Sequence, residues 1–173
     1  MIEPNEIIEP ILESYANVLE KDFSAYKNHC YRVLNYMKLQ GLTTEELHIC
    51  TLLLPFHDLG IWTHKTMDYL NPSIELATNY ITTSDIQIEE NLIKEFIGDH
   101  HRLSSNKLGL AEKMRKADFM DLSLGFIKFG QSKTEIKKIK KQFPTHGFQW
   151  MVFRKVFSYA ITHPWKPFPM MKV

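Results

Sequence analysis

Apolar residues recur every three to four positions along this 173-residue chain, and no segment shows a long, clean alternation of apolar with polar. That period belongs to amphipathic helices and excludes a half-buried sheet. Between Glu6 and Glu20 one face carries Ile7, Ile8, Ile11, Leu12, Tyr15, Val18 and Leu19. A second helix is expected from Asp22, as its N-cap, to Gln40, with Gly41 stopping it. A third opens at Thr43, with Glu46 completing a capping box, and runs to Pro55. Further helices are expected over residues 73–81, 84–101, 110–124, 134–142 and 147–162. The tail "HPWKPFPMMKV" reads as extended and laid on the surface. The pattern predicts an all-α, single-domain helical bundle of roughly six to eight helices spanning residues 1–173.

Composition narrows the class. Hydrophobic residues make up 44% and charged residues 24%, which suits one core-bearing globular domain. No apolar run is long enough to span a bilayer, and "MIEPNEIIEP" lacks the basic start and apolar stretch of a signal peptide. A cytoplasmic protein with no membrane partner is therefore expected. A net charge of +1 gives no reason to expect a nucleic-acid partner. Cys30 and Cys50 lie in apolar helical patterns and read as buried free thiols. The lysines of "KTEIKKIKKQF" read as a solvated face. The aromatic helix 147–162 reads as core or as a contact in a homodimer.

Several polar residues fall on faces that should be buried. His29 points with the stripe Tyr26, Cys30, Val33 and Met37. His57 and Asp58 close the most apolar segment, "LLLPFHDLG". The stripe Leu92, Ile93, Phe96, Ile97 extends onto His100 and His101. Asp118 and Asp121 lie on or beside the face set by Leu110, Met114 and Ala117. Any one of these has a bland reading as a hydrogen-bonded core residue, a cap or the partner of a buried arginine such as Arg32 or Arg115. Polar groups on four helices together need a common partner, and a divalent cation is the economical one for imidazole and carboxylate.

These residues resemble the HD superfamily of metal-dependent phosphohydrolases, in which a histidine, a His-Asp doublet and a later aspartate sit on separate helices of an all-α fold. "AYKNHCYRV", "LLLPFHDLG" and "RKADFMD" are similar to its ligand segments, and "NPSIELATNYI" to its His-Pro segment; the likeness covers about residues 20–125 and leaves 126–173 as additional helices and tail. The resemblance implies His29, His57, Asp58 and Asp118 as ligands of a divalent ion (Mn, Fe, Ni, Co, Zn or Mg), with Asp118 preferred to Asp121. It implies hydrolysis of a small phosphorylated substrate, such as a nucleotide, by a metal-activated water. Asp58 would orient that water, and His100 or His101 would protonate the leaving oxygen, clamp the phosphate or supply part of a second metal site. Asn71 stands where many members carry a second-metal histidine, so one tightly held metal is expected. Ile61 replaces a lysine or glutamate of some members. Lys65 and His64 follow in a loop within reach of an anionic substrate, Lys65 reading more simply as solvated. Two alternatives stand beside this reading: an HD-type metal-dependent oxygenase, and a non-catalytic ligand-binding module.

Overall fold

The structure, a computed structural model, describes residues 2–105 and 109–171. Among these residues it is all-helical. The helices are α1 (Ile8–Ser14), α2 (Ala16–Leu19), α3 (Phe23–Leu39), α4 (Thr44–Leu53), α5 (Gly60–Thr63), α6 (Leu70–Thr83), α7 (Glu90–Gly98), α8 (Leu110–Leu122), α9 (Lys133–Gln142) and α10 (Phe148–Thr162). Eight of these are seven residues or longer, in keeping with the expected bundle. Short 3₁₀ turns at Glu20–Asp22 and Leu54–Phe56 join α2 to α3 and carry α4 into the His57–Asp58 doublet.

The middle of the bundle is α3. Every residue from His29 to Met37 is buried, so this stretch of the helix has no solvent face. It packs chiefly on α8, while α6 packs on α7 and on the 3₁₀ turn before the doublet. Its C-terminal stop is as expected: Gln40 ends the helix, and Gly41 takes φ +83°, a left-handed value that a residue with a Cβ resists. The capping box of α4 forms, with Thr43 Oγ1 accepting from Glu46 N and Glu46 Oε2 accepting from Thr43 N.

Several boundaries differ from the periodicity. The first helix breaks at Tyr15 into α1 and α2, because Tyr15 leaves helical geometry (φ −107°, ψ 10°). Asp22 precedes α3 but does not cap it; its carboxylate accepts the indole N–H of Trp62 at 3.0 Å. Helix α6 begins at Leu70, three residues earlier than expected, since Pro72 sits in the first turn where its missing N–H costs nothing. Helix α7 begins only at Glu90, after Asp85 turns the chain with φ +53°, and ends at Gly98. His100 and His101 therefore lie in the turn after α7, not in a helix.

Helix α10 is the least integrated element. Its only buried residue is Phe148, and Met151, Val152, Val156 and Tyr159 pack half-buried on the core. Trp150, Phe153, Phe157 and Ile161 are exposed, so of the expected core or homodimer contact the core part holds for the inner face alone. After α10, Met170 returns the tail to the core.

Candidate metal centre

Four buried segments converge at one end of α3. His29 comes from α3, His57 and Asp58 from the turn between α4 and α5, His100 and His101 from the turn after α7, and Asp118 from α8. All six are buried; the most exposed is His101 at 8%, followed by Asp58 at 3%. Apolar packing brings them together, because α8 lies along α3 while α6 and α7 close over the doublet.

The imidazoles are oriented by what their outer nitrogens bind. His57 Nδ1 donates to the Leu54 carbonyl at 2.7 Å, and His100 Nδ1 donates to the Ile97 carbonyl at 2.6 Å. A carbonyl only accepts, so each ring carries its proton on Nδ1 and turns the Nε2 lone pair inward. His29 follows the same scheme with a carboxylate: its Nδ1 lies 2.7 Å from Asp121 Oδ2. The inner atoms then crowd together. His29 Nε2 is 3.0 Å from His57 Nε2, 3.6 Å from Asp58 Oδ2 and 3.5 Å from Asp118 Oδ1. His57 Nε2 is 3.4 Å from Asp58 Oδ2. On the other side, His100 Nε2 lies 3.3 Å from Asp58 Oδ1, and His101 Nδ1 lies 3.5 Å from Asp118 Oδ2. Tyr69 Oη, at the start of α6, holds His101 Nε2 at 2.6 Å.

This arrangement collects acceptors without donors. Asp58 Oδ1, His100 Nε2 and both oxygens of Asp118 are buried with no hydrogen-bond partner. Buried polar atoms are rarely left so, and leaving them costs on the order of 1–3 kcal/mol each. A divalent cation satisfies all of them at once, and imidazole nitrogen with carboxylate oxygen is a donor set it accepts. The ligand atoms form two groups tight enough to share an ion: His29, His57 and Asp58, and Asp58, His100 and His101. Asp58 belongs to both. The buried His/Asp cluster can therefore hold a metal ion.

The electrostatics agree. Burial, then the neighbouring Asp58 charge, push Asp118 well above the usual carboxylate range. Burial also raises Asp58, but the neighbouring His57 and then His100 outweigh it and hold Asp58 well below. Burial opposes the charging of His57, yet Asp58 prevails and its pKa is raised. Burial carries His29 down to about 4 against the pull of Asp121. Burial and then the charge of His100 carry His101 well below its ordinary value.

Asp118 and Asp121, three residues apart on one helix face, separate into two roles. Asp118 enters the cluster with free oxygens. Asp121 stands behind it and is neutralised by Arg32, whose Nε and Nη2 reach Oδ1 and Oδ2 at 2.6 and 2.8 Å. Burial raises the Asp121 pKa, but the hydrogen bonds from Arg32 and His29 prevail and lower it. Arg32 was legible as the partner of a buried aspartate; Arg115 pairs instead with Glu112. Asn71 is exposed on α6, and so does not occupy the cluster; the inward positions there are Tyr69 and Ser73. Beside the expectation of one metal that rested on Asn71, Asp58, His100 and His101 form a second group that could hold an ion. Ile61 is buried in the core, and His64 and Lys65 are exposed outside the cluster.

Sequence reasoning missed four supports. Tyr69 had no marking signal. Gln149 reaches Asp121 O at 3.0 Å and Phe148 stacks on His29 at 4.0 Å, both from the start of α10, where only aromatic bulk was visible. Gly60 was read only as part of the doublet's context. A Cβ there would meet the Tyr69 carbonyl oxygen at 2.6 Å and Ser73 Oγ at 3.0 Å, so the doublet sits against α6 only because residue 60 has no side chain. Comparison with protein-family models, curated proteins and solved structures found no match for this chain.

Proposed function

We propose that this chain is a metal-dependent phosphohydrolase of the HD type, hydrolysing a small phosphate ester, with a nucleotide as the default class. The observation that carries the reading is the shared carboxylate: Asp58 lies between two groups of imidazoles, with Asp118 bare on the other side. A divalent ion bound there supplies a Lewis acid and an acidified water, the chemistry ester hydrolysis needs near neutral pH. His29, His57, Asp58 and Asp118 would hold one ion. His100 and His101, with Asp58, would hold a second.

The protein's own groups do the rest. Asp121 and Arg32 fix the ring of His29, and the Leu54 and Ile97 carbonyls fix those of His57 and His100, so the inner nitrogens are set before anything binds. The apolar shell of Tyr26, Phe148 and Ala117 excludes water from the α3 side. The cluster's most exposed edge is His101 beside Asp58, which is where substrate reaches it. Burial disfavours protonating His101, so this histidine is better suited to ligation than to proton donation. Tyr69 Oη, held against His101, is the hydroxyl at that edge.

Elemental analysis of purified protein, then a panel of phosphomonoesters and phosphodiesters with each candidate metal, tests the reading. About two metals per chain and turnover of at least one ester are expected. Metal-free protein, or loaded protein inert on the whole panel, overturns it. A second reading, a dinuclear oxygenase, gains from the same shared Asp58, since Asp58, His100 and His101 form a second group that could hold an ion. An iron-loaded, coloured preparation that consumes dioxygen with a small organic substrate would favour it.

A further inference from the structure

The chain divides sharply by charge. Residues 136–173 carry eight Lys and Arg and no Asp or Glu, which leaves residues 1–135 with a net −7 against the total of +1. The same segment carries the most exposed aromatic surface of the described residues. On α10, Trp150, Phe153, Phe157 and Ile161 are 64, 56, 59 and 64% exposed. Their spacing places them on one helix face, and Arg154 falls on that face too. Trp150 stacks on Phe153, with ring centroids 5.6 Å apart, and Phe153 on Phe157 at 6.1 Å, so the rings form a continuous ridge. Beyond the helix, Trp165 is 98% exposed and Phe168 55%. The opposite face of α10 already packs on the core through Met151, Val152, Val156 and Tyr159. A helix apolar on both faces, with only one covered, has a partner still to meet.

We propose that α10 and the segment after it dock on the surface of an anionic lipid bilayer, the aromatic ridge entering the headgroup layer and the surrounding cations facing the phosphates. Tryptophan and phenylalanine beside lysine and arginine are the residues such an interface selects. Each basic side chain brought near an anionic surface is worth roughly fivefold in partitioning. Arg154, Lys137 and Lys141 are exposed with no acidic partner among the hydrogen bonds and ion pairs of the described residues. Lys155 lies 4.0 Å from Asp22 and over the ring of Trp62, and Lys166 is paired with Asp68, so these two orient the segment on the body. A second copy of this chain is the poorer occupant, because a twofold contact through α10 sets Arg154 against Arg154 in a segment with no acid to pair it. No helix among the described residues is long and apolar enough to cross a membrane. The expectation of no membrane partner rested on that absence, and surface docking does not require a span.

The full chain is sedimented with phosphatidylcholine vesicles, and with vesicles also containing phosphatidylglycerol, at low and high salt. Binding is expected to the anionic vesicles only, weakened by salt, with a blue shift of tryptophan emission. The variant Phe153→Ser/Phe157→Ser, both positions being solvent-facing, should keep its circular dichroism and metal content and lose at least about tenfold in vesicle partitioning. Arg154→Glu should weaken binding to anionic vesicles as well. No binding to anionic vesicles overturns the proposal, as does binding that the serine pair leaves unchanged. A dimer seen by light scattering, dissociated by the serine pair in a chain that binds no vesicle, assigns the ridge to a second copy instead. None of these outcomes depends on the reaction proposed for the metal centre.

Discussion

Asp121 carries the arrangement of the cluster without entering it. It accepts both prongs of the Arg32 guanidinium and faces the outer nitrogen of His29, all in full burial. Replacing it with Asn keeps the size and removes the charge. The guanidinium is then buried without its counter-ion, and breaking a buried pair in this way costs about 3–5 kcal/mol. Asp121→Asn should therefore lower the chemical-denaturation midpoint strongly, with the slope unchanged. Asp118→Asn should behave differently at the same scale. Asp118 is an unpaired carboxylate whose ionised form burial disfavours in the absence of a cation. Its amide variant should leave the metal-free protein as stable as the native chain or more so, while weakening metal binding. Calorimetric titration of the two variants, alongside their unfolding curves, separates support from ligand: stability falls first in one, affinity first in the other. The same raised Asp118 pKa sets a pH dependence. Metal binds the ionised carboxylate, the form that burial disfavours, so affinity falls as pH is lowered and the carboxyl takes up its proton. Chelator competition at pH 7.5 and 5.5 (values chosen about the histidine range) should show weaker binding at the lower pH; equal affinity at both would mean that no proton is displaced.

At the scale of elements, the contact between the His57–Asp58 turn and α6 is the most sensitive joint. Gly60 begins α5 and sits under the Tyr69 carbonyl, with its N–H donated to Ser73 Oγ at 3.0 Å. Gly60→Ala should push α6 away, displace Tyr69 from His101, and cost about 1–3 kcal/mol as overpacking does. Metal analysis of that variant should show the Asp58, His100, His101 set impaired before the His29, His57, Asp58 set. This joint explains much of what was legible beforehand. Helix identity and the inward direction of His29, His57, Asp58 and Asp118 followed from spacing, because one face of each helix had to be buried. The break at Tyr15, the late start of α7 and the role of Tyr69 were not legible. Each depends on where a neighbouring element sits: Asp22 spends its carboxylate on Trp62 rather than on its own helix, and Asp85 turns the chain with a left-handed φ that its residue type permits but does not require. Asn71 misled for the same reason. Its place before Pro72 was read as the position of a missing second-metal ligand, but the first turn of α6 is rotated so that Tyr69 and Ser73 face inward and Asn71 faces solvent.

For the whole molecule, the cluster is a tie between parts of the chain that are distant in sequence. Residue 29 lies on the central helix, residues 57 and 58 on a turn, residues 100 and 101 on another, and residue 118 on α8. Bound metal would join all four and would bind only the folded chain, since the unfolded one has no such geometry. Free ligand at about a thousand times Kd would then stabilise the fold by ~4 kcal/mol. For a chain of this size each kcal/mol moves the melting temperature by roughly 2–4 °C. Stripping metal with a chelator should therefore lower Tm by about 10 °C, and adding it back should restore the value. His57→Ala should lose the share of that difference that the His29, His57, Asp58 group supplies, because it removes a ligand from that group while the Leu54 carbonyl it bonded remains free to take water. His101→Ala should keep part of it, since the His29, His57, Asp58 group does not include residue 101. Differential scanning calorimetry of the native chain and both variants, each with and without chelator, checks this. A native chain that contains metal yet melts identically in both conditions would place the ion outside the cluster, on a surface that folding does not assemble.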